Sequence, residues 1–443
     1  MATDDGVIKE EEMEDEEEDE VEDEEMDEND EDGKEPEEKV YFPGDPIEDG
    51  DELTFDKSAY HMYHAAQTGA PCLSFDVVPD NLGDVRTEFP MTCYMVCGTQ
   101  SEGKPNQLLL MKMSNLTKII SEDSDSEDSY IDEDENEGDG PHLRTVSINH
   151  IGGVNRIRQT TINNKQFCAT WSETGTVYVW DNTKGMESLD LPGVAQHQTA
   201  PNSAKHTFHF SGHQAEGFAM DWSSATPGRL ATGSCNRNIH LWQLRDSGTW
   251  NVDQRPLNAH TGSVEDIQWS PNENNVFASC SVDKTVRIWD ARAVGSKACM
   301  LTANAHDSDV NVISWNRHDP FILSGGDDGM LKVWDLRQFQ NGVPVATFKH
   351  HNAPVTSVEW HPTDSTVFAA SGDDHQITIW DLAVEKDEEN EQALSTTNDL
   401  PPQLLFIHMG QTDIKEIHWH KQLPGVLIST AASGYNIFKT ISV

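Results

Sequence analysis

The feature that most constrains this chain is one segment that recurs at nearly constant spacing. Its fullest copy reads Ala259-His260, Val264, Ile267, Trp269-Ser270-Pro271, Val276 to Ser279, Asp283 and Val286-Arg287-Ile288-Trp289-Asp290. From the histidine to the late tryptophan is 29 residues in this copy, 28 from His306 to Trp334-Asp335, 29 from His351 to Trp380-Asp381, 29 from His213 to Trp242-Gln243 and 30 from His150 to Trp180-Asp181. His408 to Phe438 keeps a spacing of 30 but loses the tryptophan. Each copy is a series of short β-type runs broken by turns. A unit of that kind buries its faces only by stacking on its neighbours.

Residues 73–113 add three further strand-like pieces, Leu73 to Val78, Tyr94 to Gly98 and Leu108 to Met113, with Leu143 to Ile148 as an outer fourth. Six histidine-led units and this one make seven. The last, Ile414 to Thr440, is short of an outer strand, and Lys39-Val40-Tyr41-Phe42 is the expected supplier. These repeats resemble the WD-repeat family over roughly residues 142–441. That resemblance implies an all-β, seven-bladed WD-repeat β-propeller in which four-stranded blades close radially.

The recurring polar residues within a copy have a structural reading. A serine four residues before an aspartate, itself six before the tryptophan, is spaced to join the histidine in a buried relay. Two sets fit fully: His260, Ser279, Asp283 and Trp289, and His306, Ser324, Asp328 and Trp334. An unpaired buried polar group costs about 1–3 kcal/mol, so each set favours one strand arrangement. Asn236 stands where another unit has the aspartate, Ala370 stands where another has the serine, and the first and last units lack the aspartate. On this reading the histidines are scaffold. No metal ligand set, cofactor or catalytic residue is expected, because there is no Gly-rich phosphate loop, nucleophile elbow or metal-ligand spacing.

Charge is concentrated rather than spread. Residues 1–40 carry 24 Asp or Glu against three Lys, residues 119–143 carry 11 acids with no Lys or Arg, and residues 385–399 carry six against one, within a total of −48. The domain reading is therefore a disordered acidic tail over 1–38, a leading strand and helix over 39–70, and a propeller over 71–443 with acidic insertions at about 119–142 and 385–399. Such blocks attract cations and basic proteins and disfavour direct binding to nucleic acid, so chromatin is reached through proteins. Ser121, Ser124, Ser126 and Ser129 lie among acids and suit an acidophilic kinase, which would deepen the potential. The seven cysteines are odd in number and scattered, which fits a reducing compartment, and the sequence has neither a signal-type N-terminus nor a membrane-length apolar run.

Phe55 to Pro71 reads as a helix. Asp56 or Ser58 caps its start, Gly69 and Pro71 end it, and Ala59, Met62, Tyr63 and Ala66 share one face. A helix leading into Ala70 to Asp80, together with Asp399-Leu400-Pro401-Pro402, resembles the histone-binding WD-repeat proteins associated with retinoblastoma protein. The acidic tail and Tyr41-Phe42-Pro43-Gly44-Asp45 bring the resemblance closer to the glutamate-rich WD-repeat proteins. The histone-binding resemblance implies a client groove between that helix, bearing Tyr60, Tyr63 and His64, and a loop with Asp387, Glu388, Glu389, Glu391, Asp399, Leu400, Pro401 and Pro402. Cys72 and Phe75 depart from it where those relatives favour tryptophan.

The resemblance further implies a non-enzymatic chaperone or scaffold in the nucleus and nucleolus. Its expected partners are a basic protein of the large ribosomal subunit first and histones second. Trp289-Asp290-Ala291-Arg292 and Trp334-Asp335-Leu336-Arg337 also resemble the boxes with which substrate receptors meet the linker of cullin-four ubiquitin ligases, which makes Arg292 and Arg337 candidate contacts.

Overall fold

In a computed structural model the described residues are Tyr41, 54–119, 140–193, 195–200, 205–385 and 400–443. The chain divides into two units, Met1–Thr54 and Phe55–Val443, and the second holds every strand described below.

Seven antiparallel sheets follow one another along this unit. Blade 1 is Cys72–Val78, Met91–Thr99, Gln107–Leu116 and His142–Asn149, with His197–Thr199 added in parallel at its rim. Blades 2 to 6 begin at the inner strands Val154–Ile162, Met220–Trp222, Val264–Trp269, Val310–Trp315 and Val355–Trp360. Blade 7 begins at Ile414–Trp419. The seven inner strands contact each other in order and the last contacts the first, which closes the ring. Among the described residues the core consists of seven apolar clusters, the largest built between blades 7 and 1.

An inner strand has a free edge, and that edge is satisfied in one direction around the ring. Ser74 and Asp76 of blade 1 accept from the backbone N–H groups of Ile157 and Gln159 in blade 2 (3.0 and 2.8 Å). Asp221 accepts from Trp269 (2.7 Å), Asp266 from Ile313 (3.1 Å), Gln268 from Trp315 (3.1 Å), Ser314 from Trp360 (3.1 Å) and Glu359 from Trp419 (2.9 Å). Glu416 of blade 7 accepts from Phe75 of blade 1 (2.9 Å), which completes the circuit. Between blades 2 and 3 the Trp222 indole donates to the Arg158 carbonyl instead (3.0 Å). Backbone groups that would otherwise be orphaned toward the axis are thus paired by the preceding blade.

The relay residues come together within blades. His260 Nε2 is 2.7 Å from Ser279 Oγ and its Nδ1 is 2.8 Å from Asp283, while the Trp289 indole donates to Ser279 (2.8 Å). His306, Ser324, Asp328 and Trp334 repeat this at 2.8 to 2.9 Å. Two departures have different outcomes from those expected. Asn238, not Asn236, meets His213 Nδ1 (2.7 Å). In blade 6, where Ala370 leaves no hydroxyl at the relay position of the second strand, Thr378 of the third strand bridges His351 (3.0 Å) and Trp380 (2.8 Å).

The expected helix over 55–71 is corrected. Only Lys57–Ala59 form a 3-10 turn, capped by Asp56 as the sequence suggests, and Tyr60–Ala66 is a β-strand paired antiparallel with Gly434–Thr440. It supplies the outer strand of blade 7. Tyr41 lies outside any strand, and Lys39, Val40 and Phe42 fall outside the described residues. A β-bulge between Tyr60 and Met62 explains the misreading. The extra residue reverses the side-chain alternation. Ala59, Tyr60 and Tyr63 therefore face the cluster shared with blade 6, and Met62 and Ala66 face the cluster shared with blade 1. Apolar residues at 59, 62, 63 and 66 mimic helical spacing although the backbone is extended. The unpaired edge of the last strand then decides between the two conformations.

Two outcomes test these contacts. Met62→Asp places a charge in a fully buried position and is expected to cost about 3 kcal/mol or more, whereas Ala65→Asp on the exposed side leaves the melting temperature nearly unchanged. Equal effects would return the segment to a helix or a loose arm. Thr378→Val, which orphans His351 and Trp380, is expected to destabilise by about 2–4 kcal/mol, and Ala370→Ser in the same chain should recover part of the loss. Thermal or urea unfolding reads both, and the bridging role of Thr378 is excluded if the second change recovers nothing.

Candidate functional site

Three regions of the propeller carry polar or aromatic groups beyond what the repeat requires. The first lies at the rim between blades 6 and 7. Tyr60 donates or accepts at His408 Nδ1 (2.7 Å) and meets Phe406 edge-on at 5.3 Å. Tyr63 lies 4.7 Å from Phe55, which is 44 % exposed. His408 stacks on Phe438, the residue that replaces the repeat tryptophan, at 4.1 Å. Burial and the neighbouring Tyr63 and Asp56 push the Tyr60 phenol above its ordinary range. Burial pushes His408 down to about 3, so the imidazole is neutral.

Of the expected groove residues, Tyr60 and Tyr63 are therefore brought together, but on a strand and with Tyr60 buried. His64 points elsewhere and meets the Thr117 carbonyl (3.0 Å). Leu400 and Pro402 are exposed, and the Pro401 carbonyl accepts from Leu404 (3.0 Å) in the turn that leads into the strand Leu404–His408 carrying Phe406. Asp387, Glu388, Glu389, Glu391 and Asp399 lie outside the described residues, as do Ser121, Ser124, Ser126 and Ser129. Among the described residues the helix wall of that groove is not formed, because the segment that was to supply it is tied to the last strand.

The second region is the axis. Glu416 receives Arg156 (2.6 Å) and Arg158 (2.7 Å), and His418 lies 3.0 Å from Glu359 and 3.6 Å from Glu416. Together with Asp266 and Gln268 these groups line a cavity of about 40 Å³, room for a water or two. Burial alone would raise the Glu416 carboxyl, but Arg158 and Arg156 hold it well below its usual range. Burial alone would lower His418, but Glu359 and Glu416 hold it up at about 10. The carboxylates here are already engaged by backbone N–H groups and arginines, so the cluster reads as a fastening.

The third region escaped the sequence reading. Asp307, Asp309, Asp327, Asp373 and Asp413 sit in loops that meet at one end of blades 5 to 7, where inner strands begin and second strands turn into third ones. The Asp327 amide donates to the Asp309 carbonyl (3.0 Å), Asn311 donates to Asp327 (2.8 Å), and the Asp413 amide donates to His375 Nδ1 (3.0 Å). Lys415 pairs with Asp413 and reaches Asp373 (3.8 Å). Glu265 joins the arc from blade 4, and burial, reinforced by Asp309 and Asp266, raises its carboxyl. Asp328 and Asp374, one residue beyond Asp327 and Asp373, turn inward to their histidines. Acids scattered over the loops of three repeats give no local signal. Only the repeat superposes them.

Arg292 and Arg337 are 70 % and 68 % exposed, and each is clamped by the aspartate two residues earlier, with Nη2 at 2.7 Å in both. Among the described residues no group of three or more His, Cys, Asp or Glu side chains is arranged to hold a metal.

The pH profile tests the axial fastening. His418 is raised from an ordinary 6.5 to about 10, so its contribution is complete below pH 6.5 and disappears as pH rises through 10. His150, lowered to about 4 by burial, and His213, lowered to about 3, act in the opposite sense, and their contribution is lost as pH falls below 6.5. Melting temperature against pH should therefore fall on both sides of neutrality, and His418→Gln should flatten the alkaline side alone. An unchanged alkaline slope would remove His418 from that role.

Comparison with known proteins fits this architecture. Residues 50–117 match the family that takes in the histone-binding protein RBBP4 and its counterpart in the CAF1 complex, and residues 252–290, 297–335 and 342–381 match the WD domain, G-beta repeat. The chain is 45 % identical to Protein HEAT STRESS TOLERANT DWD 1 of Arabidopsis thaliana, covering 91 % of this chain and 92 % of the relative. It is 42 % identical to Ribosome assembly protein rrb1 of Schizosaccharomyces pombe, over 92 % and 86 %. It is also 44 % identical to Glutamate-rich WD repeat-containing protein 1 of Dictyostelium discoideum, over 91 % and 85 %.

Proposed function

Because the chain belongs to the family of glutamate-rich WD repeat-containing proteins, we propose that it is a non-enzymatic scaffold of ribosome biogenesis that chaperones a basic protein of the large ribosomal subunit. The observation that carries this reading is the acidic arc of Asp307, Asp309, Asp327, Asp373 and Asp413 on a chain of net charge −48. A basic client captured by such a potential is kept from nonspecific contact with RNA, and its association is faster at low salt. The kinship with a ribosome assembly protein supports the placement in ribosome biogenesis. The engagement of the axial carboxylates by the scaffold supports the absence of a reaction. The nucleus and nucleolus are where such a client is assembled.

Histone binding is the second reading, favoured by the family match over residues 50–117. In either case the acidic blocks 1–38 and 385–399 steer the client, and the rim at Tyr63, Phe55 and Leu400 offers apolar contact. A ligase-receptor role rests on the exposure of Arg292 and Arg337.

The test is binding of a purified basic large-subunit ribosomal protein, beside core histones, at several salt concentrations. Changing the five arc aspartates to asparagine should weaken the ribosomal protein about tenfold and flatten its salt dependence. Neutralising Asp387, Glu388, Glu389 and Glu391, or deleting residues 1–38, should slow association. If affinity and rate are unchanged, the electrostatic reading is wrong. If histones alone respond, the second reading takes its place.

A further inference from the structure

The apolar cluster between blades 7 and 1 is rich in sulfur. Eight of its seventeen buried residues are Met or Cys, and among the described residues no other cluster has more than two. Packing alone asks only for volume, which leucine or valine supplies with better-defined rotamers. Three of the sulfurs are drawn together by strand register. Cys72, Cys97 and Met111 stand on three successive strands of blade 1, Cys72–Val78, Met91–Thr99 and Gln107–Leu116. Cys72 pairs with Thr99, two residues beyond Cys97, and Cys97 pairs with Leu109, two residues before Met111. Side chains two apart share a face of the sheet, so the three lie along one diagonal, on the face turned to blade 7.

The Cys97 thiol donates to the Met111 thioether at 3.4 Å, and the Cys72 thiol is hydrogen-bonded to that of Cys97. From blade 7 the Tyr435 hydroxyl faces both thiols; the residue is 1 % exposed and the hydroxyl has no hydrogen-bond partner of its own. Burial raises the Cys97 thiol well above its ordinary value, whereas the bond to Cys97 holds Cys72 below its own against burial, so Cys72 ionises first. Two thiols and a thioether are soft ligands and select Cu(I). Zinc or an iron–sulfur cluster asks for further thiolates or imidazoles, and among the described residues no such set is present. Metal–sulfur bonds of about 2.3 Å put three sulfurs around one ion about 4 Å apart, so the 3.4 Å contact has to open by only about half an ångström. Access is short, because Cys72 lies under the turn that carries the exposed Gly69 and Pro71, with Thr68 Oγ1 3.6 Å from its sulfur.

We propose that Cys72, Cys97 and Met111 form a Cu(I) site at the seam where the ring closes. The ion binds as Cu(I) with no change of oxidation state. The thiol protons leave for solvent, so binding tightens as pH rises. The Cys72 carbonyl accepts from Thr430 of blade 7 (2.8 Å), which ties the site to the same seam, and loading should raise the melting temperature. The site stands apart from the acidic arc and does not depend on the client assigned there.

The test is transfer of Cu(I) to the reduced full chain, under nitrogen, from the coloured complex of a Cu(I) chelator. Wild type should withdraw one equivalent. Met111→Leu keeps the volume and apolar character of the core; it should melt with wild type in the absence of metal and hold copper about tenfold more weakly. Cys97→Ser should withdraw none. Cys235→Ser combined with Cys299→Ser, which removes the two partly exposed thiols, should withdraw as much as wild type. The proposal is overturned if wild type leaves the chelator complex intact, if Met111→Leu competes as well as wild type, or if removing Cys235 and Cys299 abolishes the uptake.

Discussion

The side chain that reaches from one inner strand to the backbone of the next is the contact on which this ring depends. A blade standing alone would present a row of N–H groups to the axis with nothing to accept them. Asp76, Asp221, Asp266, Ser314, Glu359 and Glu416 each satisfy the blade that follows. Every blade but the third is completed in this way by its predecessor, and the first is complete only once the seventh has formed. Buried carboxylates in such numbers would be costly alone. They are tolerable because each has backbone donors, and Glu416 has two arginines as well.

Ring closure is made twice, at opposite edges of the same blade. On the inside, Glu416 meets the Phe75 amide. On the outside, Tyr60–Ala66 pairs with Gly434–Thr440. Both bring residues near position 70 against residues near 430, so the longest loop in the chain is closed by ladder hydrogen bonds and a buried charge at once. The same strand places Tyr60 against Phe406 and His408, which makes the rim of blades 6 and 7 part of the closure as well as part of the candidate surface.

Acidic groups accordingly have two roles. Those on inner strands and those one step into the turns, such as Asp283, Asp328 and Asp374, are turned inward and have partners. Their sequence neighbours Asp327 and Asp373 face outward and form the arc. Reading Asp327-Asp328 or Asp373-Asp374 as a pair of equivalent charges misses that one residue of each pair belongs to the scaffold and the other to a surface.

The sequence by itself determined the seven-bladed propeller, the two full relays and the acidic character, because each is written in a spacing or a composition that repeats. Where a hydroxyl was missing, as at Ala370, the sequence marked the gap but not its filling by Thr378, since the substitute sits on a different strand. Tertiary structure alone decided that residues 60–66 are a strand, because a bulge disguised their alternation and a distant unpaired edge set the outcome. It alone also brought the five arc aspartates onto a common surface. A local pattern records what a segment can bury. Which segments face each other depends on how the ring closes, and no window of neighbouring residues contains that information.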